Sequence, residues 1–491
     1  AAALAGVTLL PNGLGQAEAE ARQVAARNGY AHDPDGSGVT VTVSEIGPET
    51  LQVEIELAEV PEYFGVLFEG PDSVTRRSTA KFVRSVSLGS PRNFLGTVDL
   101  LGSDSGGDMW RLRRQTGQPV LSRNDTEGLR ENSWLAISGE CTSKENGDRY
   151  NAVSTANYDD GGWDRCEGGG TIVNDEFRGH GYIYAVSIPP GYAAGPIEIQ
   201  AFDPAICNGS RPDDPNDASS RGMTTTYTIR SGSTDPLGGT VVSNDAFPRS
   251  SNGCSEWEVL HRLDSPVENS TYFIQVDAGR NDERTFSVQS NGFALRADVM
   301  NRRSDARFWG CSSDPVETSI YAADCPQVYA VGDMGVFASL DGEKAEFFLA
   351  QIDSEYDGKE LQVTLFDPGE GAETLRIKNP AGDYEAFDWE VDCGPGITPP
   401  TGDCTGSASA SGGLDLVGES SNPQPGPRRL GRSKYNDRAL TLSIDLPADI
   451  ADAYGGATWW KVEYEVGSSP TDRTTWAVEV KGDPVRLLPN P

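Results

Sequence analysis

Histidine is scarce in this sequence, and the motifs that carry much of enzyme chemistry are missing. Its 491 residues include three histidines, His32, His180 and His261, which are far apart in the chain. No HExxH metal motif, GxSxG nucleophile motif or GxxxxGK[ST] phosphate loop occurs. With 74 acidic residues some carboxylate pair is inevitable, so such a pair is no indication of a glycosidase. The sequence therefore predicts a protein that is not an enzyme and has no catalytic residues.

Basic residues are few beside the acidic ones. Lys and Arg total 40 against 74 Asp and Glu, which gives a net charge of −34. Binding to phosphate backbones or anionic lipid requires positive charge, so nucleic acid and anionic membrane surfaces are predicted not to be partners. A charge of this size favours solubility. A salty habitat and an affinity for divalent cations stay open on composition alone.

No run of residues is long enough to span a membrane as a helix. The opening AAALAGVTLL is apolar for ten residues before Pro11, whereas a transmembrane helix needs roughly 20. No basic residue precedes this run, so it is not a complete signal peptide. We expect an anchor or leader upstream of residue 1, and membrane anchoring only through that upstream segment.

The eight cysteines contain no Cys-x-x-Cys step, which zinc knuckles and redox motifs need. An even number of widely spaced cysteines indicates disulfides formed in an oxidising compartment, which predicts an extracellular or cell-surface location. The simplest connectivity joins sequence neighbours, and the other pairings stay open. The neighbouring pairs are Cys141 with Cys166, Cys207 with Cys254, Cys311 with Cys325, and Cys393 with Cys404.

Short runs rich in Thr, Val and Tyr alternate with Gly and Pro, which number 56 and 31. Such spacing is typical of strands joined by turns. We predict a mainly β fold: a small N-terminal α+β, pilin-like region at residues 1–95, a first β-sandwich at 96–303 and a second at 304–491. The Pro- and Gly-rich stretch 394–432 is predicted to be a long loop of the second sandwich, closed at its base by the last two cysteines.

The N-terminal region has a clear local pattern. Residues 14–28 place alanines at helical spacing and end in Asn28 and Gly29, which predicts a helix with a left-handed cap. Residues 39–45 and 51–60 alternate apolar and polar side chains, which predicts a β-hairpin.

In order and spacing these features resemble the TadE/TadG-like proteins of Flp (Tad) pilus assembly, especially actinobacterial ones. The resemblance implies a membrane-spanning helix immediately upstream of residue 1 and a pilin-like role for the N-terminal region. The matching features are Ala1–Gly6, Leu10 with Pro11, Asn28 with Gly29, Val39–Val43, Leu51–Leu57, and Val60 with Pro61 and Phe64.

An internal repeat occupies the longer part of the chain. Residues 181–204 align without a gap with residues 345–368, so that one Phe-Asp-Pro ending falls on the other at an offset of 164. A second aromatic block follows each copy, at 270–279 and 457–467. Two copies of one β-domain are predicted, and their strand order resembles jelly-roll modules, which follow the TadE/TadG-like segment in that family. The alignment pairs Tyr184 with Phe348, Val186 with Ala350, and Tyr192 with Tyr356.

Two acidic turns are the metal-site candidates. Asp33 and Asp35 lie in the run HDPDGSG, whose Gly turn is typical of calcium loops, but no bidentate Glu closes the pattern. A tight turn between helix and hairpin is therefore favoured. The turn that contains Asp159, Asp160 and Asp164 is similar. We predict no cofactor, and leave a structural calcium ion open.

Trp459 and Trp460 are the candidate ligand-binding residues. They are adjacent in a predicted strand, so their side chains point to opposite faces and one of them points outward. An outward tryptophan can stack on a sugar ring.

The leading hypothesis is a non-enzymatic cell-surface protein associated with a Tad/Flp-type pilus, presenting two disulfide-clipped sandwiches for adhesion or assembly. The alternatives are a glycan-binding adhesin and a polymerising extracellular filament or surface-layer subunit. The expected partners are other pilus or filament subunits, a second copy of the chain, or a glycan.

Overall fold

A computed structural model represents the 491-residue chain. It describes part of that chain. That part comprises residues 1–10, 14–47, 50–58, 73–82, 86–91, 93–96, 133–139, 144, 147–151, 154–155, 172–174, 176–205, 223–233, 235–248, 257–280, 290–300, 325–339, 344–368, 373–392, 404–416, 435, 438–466, 471–481 and 485–488.

The described helices and strands are mostly short, and the strands dominate. The helices are α1 (Ala2–Thr8), α2 (Leu14–Arg27) and α3 (Ile450–Ala453). The strands are β1 (Val39–Gly47), β2 (Thr50–Leu57), β3 (Val74–Phe82), β4 (Ser87–Gly89), β5 (Phe94–Leu95), β6 (Ser133–Ser138), β7 (Ser154–Thr155), β8 (Ile172–Val173), β9 (Tyr182–Ile188), β10 (Ile197–Phe202), β11 (Met223–Ser231), β12 (Thr240–Pro248), β13 (Trp257–Leu263), β14 (Ser270–Arg280), β15 (Ser290–Val299), β16 (Gln327–Val331), β17 (Asp333–Ser339), β18 (Lys344–Gln351), β19 (Glu360–Phe366), β20 (Glu373–Lys378), β21 (Tyr384–Glu385), β22 (Phe387–Val391), β23 (Thr405–Ala408), β24 (Leu414–Asp415), β25 (Ala439–Asp445), β26 (Trp459–Val466), β27 (Thr471–Lys481) and β28 (Val485–Leu488). The predicted mainly β fold with a small N-terminal helical region is confirmed.

The chain forms two compact units. The first comprises Ala1–Ser85, Gly232–Thr240 and Gly482–Pro491, and the second comprises Val86–Ser231 and Val241–Lys481. Where we predicted two separate sandwich domains, the chain from Val86 to Lys481 thus forms a single unit apart from one short excursion. The predicted boundary at residue 303 lies outside the described residues.

The first unit is a four-stranded antiparallel sheet with two helices packed on one face. Its strand order is β1-β2-β3-β28, so a strand from the far end of the sequence pairs with β3 at the edge of the N-terminal sheet. Helix α2 buries Ala17, Ala21 and Ala25, as the alanine spacing predicts. Gly29, directly after the helix, has a φ of +89°, the left-handed conformation predicted for the cap. The helix and hairpin predicted from local patterns are both present.

Close packing joins α1 to the rest of the first unit. Gly6 of α1 lies where a Cβ atom would come within 2.7 Å of the Leu51 side chain and 2.8 Å of both Ala17 O and Ala21 Cβ. Real Cβ atoms do not approach neighbours this closely, so the helix can dock here only with glycine. The core around it consists of Ala3, Val7, Leu10, Ala17, Ala21, Ala25, Val39, Val41, Leu51, Val53 and Ala80.

Two large antiparallel sheets, here called sheet I and sheet II, form the second unit. Sheet I has the order β13-β10-β15-β6-β17-β27-β19-β25-β22-β23, with β5 paired to β15. Sheet II has the order β12-β11-β14-β9-β16-β4-β18-β26-β20-β21, with β24 paired to β20. A separate two-stranded ladder joins β7 and β8.

Aromatic side chains from the two sheets meet in the core between them. In the first copy of the repeat, Tyr184 of sheet II contacts Phe293 of sheet I edge to face, with centroids 6.0 Å apart. In the second copy, Phe347 of sheet II makes the same kind of contact with Trp476 of sheet I, at 5.9 Å. Edge-to-face pairs at this distance are favourable beyond the area they bury. The two sheets therefore form a sandwich with an equivalent core in each half.

The strand order of both sheets is symmetric about their middle. Outward from the central pair β16 and β4 of sheet II lie β9 and β18, then β14 and β26, which are the equivalent strands of the two repeats. Sheet I reads outward from β6 and β17 to β15 and β27, then to β10 and β19. The two copies are thus related by a pseudo-twofold arrangement inside one sandwich.

The first strands of the two halves are exchanged. Strand β4 precedes the first copy in sequence but pairs with β18 of the second, through Leu88 and Ala350. Strand β16 precedes the second copy but pairs with β9 of the first, through Val328 and Val186. Each half therefore completes the other's sheet, which explains why the two copies form one unit.

The structure corrects one pairing of the sequence alignment. The alignment places Tyr184 on Phe348, but Phe347, which is 3% exposed, occupies the equivalent core position. A register shift between Phe348 and Ala350 causes this difference. Such a bulge adds one residue to a strand and turns the preceding side chains to the other face.

Candidate ligand-binding face

The outer face of sheet II in the second copy carries a cluster of charged and aromatic side chains, which we call the charged face. Three neighbouring strands supply most of it by the alternation of side chains along a strand. Strand β26 turns Trp460 and Tyr464 into the core, so Trp459, Lys461 and Glu463 point to the other side. The charged face comprises Glu346 and Phe348 of β18, Arg376 and Lys378 of β20, Tyr384 of β21, and Trp459, Lys461, Glu463 and Glu465 of β26.

Glu463 is the centre of the charged face. It is 3% exposed although it points away from the core. Its carboxylate accepts hydrogen bonds from Tyr384 Oη at 3.0 Å and from Arg376 Nη1 at 3.3 Å. Lys378 Nζ lies 2.9 Å from the other carboxylate oxygen. A buried carboxylate requires such partners because desolvation otherwise disfavours its charge.

Glu346 joins the lysines of the neighbouring strands. It accepts hydrogen bonds from Lys378 Nζ and from Lys461 Nζ, the latter at 2.6 Å. Burial by itself raises the pKa of Glu346, but the hydrogen bonds from the two lysines outweigh it, so the pKa is lowered. For Lys378 the opposing effect of burial is outweighed by the hydrogen bonds to Glu346 and Glu463, which raise the pKa. Both groups are therefore ionised at neutral pH.

An aromatic edge lies beside these ion pairs. Phe348 and Trp459 contact each other edge to face, with centroids 6.1 Å apart and an interplanar angle of 80°. Lys461 Nζ lies 5.0 Å from the Phe348 centroid, and Lys378 Nζ lies 5.0 Å from that of Tyr384. Cations at this distance are attracted by the ring quadrupole. The ring positions are therefore fixed by neighbours as well as by the sheet.

The charged face combines rigidity with groups that suit a sugar. Its three basic and three acidic side chains balance, so it exerts no strong net field on a charged ligand. Half-buried aromatic rings offer stacking surface, and the carboxylates and ammonium groups beside them offer hydrogen bonds to hydroxyls. This combination is typical of sites for carbohydrates and other neutral polar ligands.

The two predicted tryptophans have different environments. Trp460 is fully buried and contacts Tyr454 edge to face at 5.8 Å. Trp459 is half-buried on the charged face. Of these two candidates, only Trp459 is therefore placed to meet a ligand. The charged partners were not predicted from the sequence, although Lys461, Glu463 and Glu465 recur at every second position, which is a usable signal of one strand face.

Asp33, a candidate metal ligand, stabilises a turn. Its carboxylate accepts hydrogen bonds from the backbone N–H groups of Gly36, at 3.0 Å, and Ser37, at 3.1 Å. Asp35 lies exposed in the same turn. Asp159, Asp160 and Asp164 lie outside the described residues. Within the described ranges, no group of three or more His, Cys, Asp or Glu side chains is arranged to hold a metal ion.

Two of the cysteines fall in the described part of the chain. Cys325 and Cys404 are both disulfide-bonded. The other six predicted disulfide residues, Cys141, Cys166, Cys207, Cys254, Cys311 and Cys393, lie outside the described residues. The predicted pairings therefore stay predictions.

A second polar cluster lies between the two halves of the sandwich. Asp148 is 3% exposed and accepts hydrogen bonds from Ser138 N at 2.7 Å, Asn151 N at 3.0 Å and Tyr182 Oη at 2.8 Å. Burial raises the pKa of Asp148, and these bonds offset part of the effect. Tyr182 Oη also lies 3.2 Å from Thr475 Oγ1 of the second half. The cluster therefore has a structural role, which is to connect the two halves.

Comparisons with known proteins add no family. No protein-family model and no curated protein matches the chain. Among solved structures, the crystal structure of tripeptidyl peptidase 2 (TPP II) aligns at 8% identity over 88% of this chain and 34% of that chain, with a TM-score of 0.18. The chain thus spans about a third of that protein's length, and a TM-score this low shows neither a shared fold nor a shared activity.

In the part of the chain that the structure describes, none of the helices has the length and apolar character needed to cross a bilayer.

Proposed function

We propose that this is a non-enzymatic cell-surface protein associated with a Tad/Flp-type pilus, and that its charged face binds a carbohydrate. The observation that carries the binding role is the packing of Phe348 and Trp459 beside Lys461 on an outward sheet face. Rings held in this way can stack on a sugar without first losing conformational freedom.

The two halves of the sandwich differ at this position, which supports a specific role for the second. The equivalent outer face of the first half carries Ile183, Ala185 and Phe273, an apolar cluster with Tyr329 and Val331 packed against it. For a binding role, it is enough that one of the two halves carries the charged face. Residues that differ between copies of one scaffold are those that the scaffold does not require.

The N-terminal region supports the pilus association. Of the segments that carry the TadE/TadG-like resemblance, those that the structure describes fold together as α1, α2, β1 and β2 around one core. A small helical and hairpin unit of this kind suits a pilin-like base for a larger binding unit. The cysteines, eight in number, favour an oxidising, extracytoplasmic location.

A glycan array tests the binding role. The wild-type protein should bind one class of glycan, and Trp459→Ala should reduce that binding at least tenfold. Tyr329→Ala is the matched control, because Tyr329 is a half-buried aromatic residue on the equivalent outer face of the first half, and this variant should bind like wild type. No binding by the wild type, or equal losses in both variants, would reject the charged face as the site.

Immunogold labelling of intact cells tests the pilus association. Antibodies against the purified protein should label the cell surface at or near pili, and labelling should disappear when the pilus-assembly genes are deleted. Label confined to the cytoplasm would contradict the proposal.

A further inference from the structure

Four residues of the charged face lie in one row that crosses four neighbouring strands. Strands β18, β26, β20 and β21 are consecutive in sheet II. Phe348 of β18 pairs with Lys461 of β26. Lys461 pairs in turn with Lys378 of β20, and Lys378 pairs with Tyr384 of β21. Because residues paired across a sheet project to the same side, the row begins and ends with an aromatic ring on the outer face.

The two rings at the ends of the row are separate stacking surfaces. Neighbouring strands lie about 4.8 Å apart, so the steps from β18 to β21 place the backbones of Phe348 and Tyr384 about 14 Å apart. A single pyranose ring is smaller than this span and cannot stack on both. Each aromatic ring is half-buried and keeps part of its surface open to solvent.

Polar groups whose charges are already paired lie between the two rings. Glu346 accepts hydrogen bonds from Lys378 and Lys461. Lys378 Nζ also lies 2.9 Å from a carboxylate oxygen of Glu463. A charged ligand would have to break one of these ion pairs to form its own, whereas hydroxyl groups can hydrogen-bond to them as they stand. The space between the rings therefore suits an uncharged, hydroxyl-rich group.

We propose that this row binds a neutral oligosaccharide whose chain runs across the strands, with one sugar ring on Phe348 and Trp459 and another on Tyr384. This assignment rests on the carbohydrate-binding role proposed above and specifies its ligand as a chain of linked sugars. The sugar units between the two aromatic ends hydrogen-bond to the polar groups of the row. Two weak stacking sites within one ligand reinforce each other, because the second contact forms within a complex that already exists.

The hydroxyl and the ring of Tyr384 have different roles in this arrangement. Its Oη donates to the carboxylate of Glu463 at 3.0 Å, which is a structural contact. The ring is the part that meets the sugar. Tyr384→Phe removes the structural contact and keeps the ring, whereas Tyr384→Leu removes both and keeps an apolar side chain. Comparing the two variants separates a ligand contact from a loss of stability.

Calorimetric titration of the full chain with sugars of increasing length tests the row. The probes are β-1,4-linked oligomers of glucose and of N-acetylglucosamine with one to six units, because chains with this linkage are extended and suit a straight row. In at least one series the wild-type affinity should rise at least tenfold from the disaccharide to the tetrasaccharide, and then level off once the chain reaches both rings.

The variants should change this dependence on length. Tyr384→Leu should bind the tetrasaccharide no more than about twofold better than the disaccharide, and Tyr384→Phe should retain most of the wild-type gain. Tyr329→Ala, on the outer face of the first half, is the control and should keep the full gain.

Equal wild-type affinity for the disaccharide and the tetrasaccharide would overturn the row, while the charged face would remain a site for a short sugar. A gain that Tyr384→Leu retains, or that Tyr384→Phe loses to the same extent, would also overturn the role of the ring. Absence of binding to every oligomer would overturn the oligosaccharide row. The glycan array then shows separately whether the carbohydrate-binding role fails with it.

Discussion

Asp203 and Asp367 adopt the same left-handed backbone conformation, with φ of +50° and +62°, directly after the equivalent strands β10 and β19. Both are buried, at 0% and 1% exposure. Residues other than glycine rarely adopt this conformation, and Asp and Asn do so at the least cost. Its recurrence at an offset of 164 residues supports the duplication independently of the sequence alignment.

We expect Asp203→Val and Asp367→Val each to lower the free energy of unfolding by about 1–3 kcal/mol, because a β-branched residue is strained at positive φ. The Asn variants at the same positions should cost clearly less, since Asn tolerates this conformation. Urea unfolding followed by tryptophan fluorescence measures both. If the Val and Asn variants lose the same free energy of unfolding, the need for a carboxylate, and not the backbone conformation, would explain why Asp occupies these positions.

The glycine of α1 is a second site where the local geometry excludes a side chain. Gly6→Val would place methyl groups against Leu51, Ala17 and Ala21, so overpacking should cost about 1–3 kcal/mol or more. Gly15 of α2 is the control because no atom lies within 4 Å of its added Cβ. Gly15→Ala should stabilise the protein by up to about 1 kcal/mol. Thermal unfolding that shows no difference between the two variants would contradict the close packing of α1.

Local patterns were enough to predict the elements of the first unit, but not the origin of its last strand. The alanine spacing of residues 14–28 predicted α2, and alternation predicted the hairpin, because helix and hairpin are specified by neighbours in sequence. Strand β28 pairs with β3 from the far end of the sequence, and a strand of four residues contains no information about a partner so distant.

The same distinction applies to the second unit. The repeat was visible because Phe-Asp-Pro and the aromatic strands recur at one offset. The exchange of β4 and β16 was not visible, because strands of three and five residues do not specify which half of the sandwich they join. The bulge at Phe348 was also missed, because a gapless alignment contains no sign of one extra residue. The acidic partners of the charged face could have been predicted from the alternation in β26, but their contact with Arg376 and Lys378 depends on sheet order.

The ion pairs of Glu346 predict a pH dependence of stability. Its pKa is lower in the folded protein than its ordinary value of 4.5, so the unfolded chain binds the proton more readily. The stabilisation is therefore complete above pH 4.5 and is lost as the pH falls through the lower folded value. The raised pKa of Lys378 keeps this partner charged across that range.

We accordingly expect Glu346→Gln to lower the urea midpoint at pH 7, and the gap to wild type to shrink as the pH falls below 4.5. Glu45→Gln on the exposed part of β1 is the control, and its midpoint should follow that of wild type at each pH. A gap that widens in acid would show that the ion pairs with Lys378 and Lys461 do not stabilise the fold.

Replacing the buried Asp148 by Asn should destabilise the protein. The two side chains have nearly the same shape, but the amide cannot accept all the hydrogen bonds that the carboxylate accepts. One of its oxygens accepts from Asn151 and Tyr182, and the other accepts from Ser138 N. In Asp148→Asn the amide nitrogen would face one of these donors, leaving a buried N–H unsatisfied at a cost of about 1–3 kcal/mol. Asp264→Asn, at an exposed position, should change stability little. Calorimetry that finds the two variants equally stable would contradict the structural role of the cluster.

Substitutions of the two adjacent tryptophans of β26 should have different effects, one mainly on stability and the other mainly on ligand binding. Trp460 is fully buried between the sheets, so Trp460→Ala should cost about 3–5 kcal/mol through the cavity it leaves. Trp459 lies on the charged face, where its main ring contact is Phe348, so Trp459→Ala should cost about 0.5–1.5 kcal/mol. Urea unfolding of both variants, together with glycan binding of Trp459→Ala, checks the difference. If Trp459→Ala unfolds as readily as Trp460→Ala, its loss of binding would reflect a disrupted sandwich, and the aromatic edge could not be assigned to the ligand.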